Sequence, residues 1–134
     1  WTVRGEYLDL FLNQRSGDLL AASGGGGINE VQYAALLMMV ARHTGYKPGK
    51  FTHAVINEHL YDHHITQAKE LIRRANERHL AAFEFLRSNN LNSQFIPKLI
   101  LNPNISNFYD MSISDFSIEN YTPMTPQLTL DLGI

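Results

Sequence analysis

Leu8-Asp9-Leu10-Phe11-Leu12-Asn13-Gln14-Arg15-Ser16-Gly17-Asp18 is the stretch on which the reading of the fold turns. Leucines at 8, 10 and 12 alternate with other residues, the pattern of a strand with one apolar face. Glycines at 24–27 follow, and Ile28-Asn29-Glu30 then opens a long apolar run of helical character. An arginine, a hydroxyl and a carboxylate stand together at the expected end of the strand. Arg15 offers a planar fork for a phosphate, and Ser16 a second donor beside it. Asp18 would be repelled by the same anion, so it serves another ligand or the loop. An ion pair between Arg15 and Asp18 at a surface turn is the competing interpretation.

Working outward, residues 1–3 and 7–13 read as two short strands joined by a turn at Arg4-Gly5-Glu6. A helix is expected over 29–44, with Asn29 as its cap, Gln32 as the capping-box partner and Gly45 as its stop. Its interior, residues 33–41, is apolar on every side, which predicts burial all round. Asn29 carries a second interpretation. A side-chain amide presents one acceptor and one donor edge, matching the N3–H and O4 of a uracil ring. A plain N-cap is sufficient by itself to explain the residue, and on these residues alone it is the favoured reading.

Residues 51–61 read as a further strand. Period two gathers Val55, Asn57, His59 and Tyr61 on one face, and Ala54, Ile56, Glu58 and Leu60 on the other. The first face is built to hydrogen-bond something polar, unless it is a sheet edge facing water. A second helix is expected from about 65 to 86, where Ala68, Leu71, Ile72, Ala75, Leu80 and Phe83 fall near helical spacing. A loop at 88–93, short strands at 99–101 and 116–121, and a tail with alternating Leu128, Leu130 and Leu132 complete the chain.

With 134 residues, one domain spanning 1–134 is expected. A hydrophobic share of 44% and a charged share of 18% are those of a globular chain. The formal charge of −2 argues against a nucleic-acid partner. The absence of cysteine excludes disulfides and thiolate metal sites and fits a cytoplasmic setting. No apolar run approaches the roughly 18 residues of a membrane span, so no membrane partner is expected. His59, Asp62, His63 and His64 lie across a strand-to-helix change and lack a metal-ligand pattern, so no metal is expected. His43 and His79 read as helix-surface residues, His43 in the last turn where a positive charge is favoured.

An ordered series runs through the chain: Gln14-Arg15-Ser16-Gly17-Asp18, Asn29, Gln32-Tyr33-Ala34, His43-Thr44-Gly45-Tyr46-Lys47-Pro48-Gly49, Phe51-Thr52-His53 and His59-Leu60-Tyr61. Pro97-Lys98-Leu99, Asp115-Phe116 and Tyr121-Thr122-Pro123 continue it. This series resembles the C-terminal half of the thymidylate synthase family, over nearly the whole chain apart from an extra segment at about 76–95. The resemblance implies an α+β fold: a mixed, largely antiparallel sheet packed on a buried central helix, with a long outer helix. It implies reductive methylation of dUMP to dTMP, with 5,10-methylenetetrahydrofolate as co-substrate, by a cytoplasmic homodimer.

By the same resemblance Arg15 grips the phosphate and supports the catalytic thiolate, and Ser16 adds a phosphate hydrogen bond. Asn29 reads the uracil edge, His59 and Tyr61 bind the deoxyribose hydroxyl, and Gln14 lines the ligand shell. Asp18 holds the folate pterin, and the carboxylate of Ile134 closes a tail over the ligands. The chemistry needs a thiolate to add at C6 of uracil before C5 becomes nucleophilic. That cysteine is expected upstream of residue 1, so the chain is read as a methyltransferase fragment that is inactive alone. A dUMP hydroxymethylase of the same superfamily and a non-catalytic paralogue are the alternatives. Departures from the family pattern include a longer loop before Asn29 without the usual Pro-Phe, Asn57 where Asp is common, Gly17 for another small residue, Thr129 for Lys and Gly133 for Ala.

Overall fold

The computed structural model of the chain describes residues 1–22, 27–89 and 97–131, the side chains of 79–89 excepted. The glycines at 24–26, residues 90–93 of the expected loop, Leu132, Gly133, Ile134 and the side chains of His79, Leu80 and Phe83 lie outside that description.

Strand β1 (Thr2–Arg4) turns back on β2 (Tyr7–Asp18), helix α1 (Ile28–His43) follows, and β3 (Lys47–His59) returns alongside β2. A 3-10 turn at Asp62–His64 leads into helix α2 (Ile65–Asn89), and β4 (Lys98–Leu101) and β5 (Phe116–Glu119) come last. The strands form two sheets: β1-β2-β3, and a β4-β5 pair. β1–β2 and β4–β5 are antiparallel, whereas the longest pairing, β2–β3, is parallel. A parallel pair needs a long crossover, and α1 is that crossover.

β2 runs to Asp18, past the expected end at 13, because β3 pairs with it as far as Asp18↔His59. The ladder outweighs the weak strand propensity of Ser16 and Gly17. β3 starts at Lys47, earlier than the pattern suggests, and takes in Pro48 and Gly49. A Cβ at Gly49 would overlap the Asp9 carboxylate and come within 2.9 Å of the Leu8 carbonyl oxygen. Without it, the Lys50 N–H donates to Asp9 at 2.7 Å. That bond, with the Arg4 guanidinium next to it, holds the Asp9 carboxyl below its usual range.

α1 begins one residue earlier than expected, after Gly27 at φ 63, and no side chain caps it. Asn29 therefore sits inside the helix and Gln32 completes no capping box, which corrects the cap reading. Its C-terminus follows expectation. Gly45 at φ 78 lets the Tyr46 N–H reach the Ala41 carbonyl at 2.8 Å, closing a Schellman turn. Leu8, Leu10, Leu37 and Ala41 form the core, with Tyr33, Val40 and Phe51 packed on it. Burial is one-sided, however. Ile28 is 55% and Val31 48% exposed, because the sheet covers only one face of an all-apolar helix. The expected all-round burial does not hold for this chain.

The second sheet docks at the end of α1. The Arg42 guanidinium donates to the carbonyls of Asn102, Pro103 and Ile105. His43 Nδ1 accepts the Phe108 N–H at 3.2 Å. Along α2, Glu70 pairs with Arg73 and Arg74. The tail beyond β5 has no regular structure as far as residue 131, but side chains of one stretch hold it. His64 Nε2 donates to the Asp131 carbonyl at 2.7 Å, Gln67 to that of Thr129 at 3.4 Å, and Arg74 to that of Pro126.

Candidate functional site

The pleat of β2 sorts the quintet into two sets. Gln14, Ser16 and Asp18 share the face of Leu8 and Leu10, toward α1, while Arg15 falls on the opposite face and is exposed. The sequence expectation of one anion site made from consecutive residues is thereby divided. The strand continues through Asp18, so neighbouring side chains diverge. Arg15 and Asp18 are also on opposite faces, which removes the simple surface-turn pairing. The parallel register sets Gln14 beside Val55, Ser16 beside Asn57 and Asp18 beside His59. The polar face of β3 thus meets the polar end of β2.

Gln14 is the centre of this face. Its amide nitrogen donates to the Ser16 carbonyl at 2.7 Å, which commits the amide oxygen to the other side. That oxygen accepts from the Asn29 amide nitrogen at 3.1 Å and from His53 Nε2 at 2.9 Å. His53 therefore donates in that bond through Nε2. Its Nδ1 lies 3.0 Å from the Glu30 carboxylate, and its ring stacks on Phe51 with the planes 13° apart. A main-chain bond from the Asn29 N–H to the Ala22 carbonyl, 2.9 Å, sets the start of α1 against the loop after β2.

Beside it stands a second group. His59 Nδ1 lies 3.3 Å from the Asn57 carbonyl and 3.4 Å from Ser16 Oγ. A carbonyl can only accept, so Nδ1 donates in that contact. It is the main chain of Asn57, whatever the side chain at that position, that contacts His59. Tyr61 packs edge-on against His59 at 5.0 Å between ring centres. Asp18 accepts from the N–H groups of Leu20 at 3.0 Å and Ala21 at 3.3 Å, an Asx turn that ends the strand. One of its carboxylate oxygens, Oδ1, thus serves the loop.

Gln14, Ser16, Asn29, His59 and Tyr61 are thus brought to one side of the β2–β3 pair, and Arg15 is not. His53 and Glu30 were missed as site residues. His53 had a signal, since it shares the odd-numbered face of Val55, Asn57 and His59. Glu30 had none, because its reach to β3 depends on where α1 begins. Buried His64 was also missed as the tail's anchor. Among the described residues, no three His, Cys, Asp or Glu side chains gather as metal ligands.

The family model described as thymidylate synthase matches residues 1–133. The thymidylate synthase of Streptococcus suis is 42% identical over 134 residues, covering 98% of this chain and 41% of that protein. That of Streptococcus pyogenes serotype M3 is 44% identical over 129 residues, covering 96% of this chain and 39% of that protein. The structure of the thermostable thymidylate synthase A from Bacillus subtilis superposes with a TM-score of 0.71 at 28% identity, covering 96% of this chain and 39% of that one. The chain thus spans about two-fifths of the length of the curated relatives it matches. A match along nearly its full length, together with the polar face built by Gln14, Asn29 and His59, settles its kinship: the chain belongs to the thymidylate synthase family.

Proposed function

We propose that the chain is the C-terminal portion of a thymidylate synthase that converts dUMP to dTMP, taking both the methylene group and the hydride from 5,10-methylenetetrahydrofolate. The observation that carries this reading is the convergence of Gln14, Ser16, Asn29 and His59 on one face, in a chain matching the family over residues 1–133. Asn29 presents its carbonyl to N3–H of uracil and its remaining amide hydrogen to O4. A fixed donor at O4 stabilises the charge that develops there when the ring is attacked. Ser16 takes a phosphate oxygen. His59 and Tyr61 take the sugar hydroxyl.

Asp18 and the Ile134 carboxylate are assigned to the folate, and the nucleophilic cysteine to the segment upstream of residue 1. The phosphate role of Arg15 rests on the family match rather than on shared geometry with Asn29. Exposed Phe11 and Ile56 on the open face of the β2–β3 pair support assembly as a homodimer. The enzyme is assigned to the cytoplasm. No helix among the described residues is long and apolar enough to cross a membrane.

The test is turnover of dUMP and 5,10-methylenetetrahydrofolate by the full-length protein, following dihydrofolate absorbance and dTMP together. Both rise if the reading is right, and the isolated 134-residue chain forms neither product. A hydroxymethylated nucleotide without dihydrofolate would instead identify a hydroxymethylase, and no product at all a non-catalytic paralogue.

A further inference from the structure

Asn29 alone cannot tell uracil from cytosine. Rotating its amide by half a turn exchanges the carbonyl and the NH2, and the flipped form suits the N3 acceptor and the amino group of cytosine. Discrimination therefore requires that something oppose the flip. Gln14 does so directly, because its amide oxygen accepts from the Asn29 nitrogen at 3.1 Å. A flipped Asn29 would put two carbonyl oxygens against each other.

Gln14 could yield by flipping as well, but two partners oppose it. The Ser16 carbonyl, 2.7 Å from its nitrogen, accepts only. His53 Nε2, 2.9 Å from its oxygen, must donate. His53 would escape by turning its ring, and there Glu30 intervenes: its carboxylate, 3.0 Å from Nδ1, accepts from that nitrogen and holds the ring with Nε2 toward Gln14. The side chain of His53 is only 10% exposed, so water is a poor substitute for that partner. Asn29 and Glu30 are consecutive residues of α1, so the hydrogen bonds close a ring: Glu30 to His53, His53 to Gln14, Gln14 to Asn29.

We infer that Glu30 is a specificity-determining positioning residue, which acts through His53 and Gln14 to lock the Asn29 amide in the orientation that accepts uracil and rejects cytosine nucleotides. It touches no substrate. The inference rests on the proposed dUMP-binding reading and deepens it, by assigning base discrimination to the whole ring rather than to Asn29.

The experiment measures Kd for dUMP and for dCMP by calorimetry on the full-length protein and its variants. Both ligands carry the same sugar and phosphate, so a general structural defect weakens both and leaves their ratio unchanged. In Glu30→Ala the dCMP-to-dUMP ratio of Kd values should fall by about tenfold, the scale of one bidentate base contact. Glu30→Gln still offers Nδ1 an acceptor oxygen and should keep the ratio of the parent protein. His53→Phe keeps a ring on Phe51 but loses both nitrogens, and should match Glu30→Ala. An unchanged ratio in Glu30→Ala or His53→Phe overturns the inference, as does a fall in Glu30→Gln as large as in Glu30→Ala. If the parent protein itself fails to prefer dUMP, the proposed function fails first and the inference with it.

Discussion

Removing the donors of Arg42 should loosen the second sheet from the helix that carries Asn29. One nitrogen, Nη1, faces three carbonyl oxygens, those of Asn102 at 3.0 Å, Ile105 at 3.1 Å and Pro103 at 3.3 Å. An Nη1 group has two hydrogens, so two of these bonds can be of full strength and the longest is shared. A hydrogen bond from a charged donor contributes about 1.5–3 kcal/mol when well buried. The loop is partly open, and water can replace a lost donor, so the low end applies and Arg42→Met should cost about 2–3 kcal/mol. Methionine retains the aliphatic packing, which isolates the polar contribution. Arg42→Lys keeps the charge without the planar fork and should cost about half as much. The assay is urea unfolding of the full-length protein at fixed concentration, paired with amide hydrogen exchange over residues 102–115. A loss in Arg42→Met below about 0.5 kcal/mol, the range of an ordinary surface change, would refute the reasoning. So would unaltered exchange in that loop.

Other outcomes follow from the same geometry. Leu37, 4% exposed at the centre of the core, should lose about 3 kcal/mol on Leu37→Ala by the same unfolding assay. A cost under about 1 kcal/mol would mean that α1 does not pack on β2 as described. Arg15→Ala in the full-length protein should weaken dUMP by about 2 kcal/mol or more while leaving phosphate-free deoxyuridine unaffected, and equal dUMP affinity would remove Arg15 from the phosphate site. Hydrogen bonds from Arg73 and Arg74 hold the Glu70 carboxyl down to about 2. The folded value is depressed, so this contribution is present above the ordinary glutamate range and is lost as the pH falls toward about 2. Carbon-13 titration of Glu70 checks it, and a midpoint in the ordinary range would contradict the pairing with those two arginines.

The helix over 28–43 and its stop at Gly45 were legible because local chemistry decides them: a continuous apolar run, then a residue that tolerates positive φ. The polar parity of β3 was legible for the same reason, since alternation is a property of the strand itself. The cap reading of Asn29 failed for a non-local reason. Gly27 takes the cap position, and the amide of Asn29 is drawn to Gln14 across the β2–α1 connection. The two roles offered for Asp18 were both reasonable on sequence, and the turn after β2 shows that the loop uses it.

By itself the sequence determined the order of elements, the apolar faces, and which residue types stand at the end of β2 and along β3. Its ordered motifs also sufficed to point to the family. Only the tertiary structure decided that β2 and β3 run parallel as far as Asp18 and His59, and this pairing turns Arg15 away from its neighbours. Only it could join Gln14 to His53, 39 residues away, and His53 to Glu30, 23 residues away. The physical reason is that periodicity acts through adjacent dihedral angles, whereas these hydrogen bonds depend on where a crossover helix returns the chain. A register shifted by one residue would leave every local preference intact and send the same side chains to the opposite face.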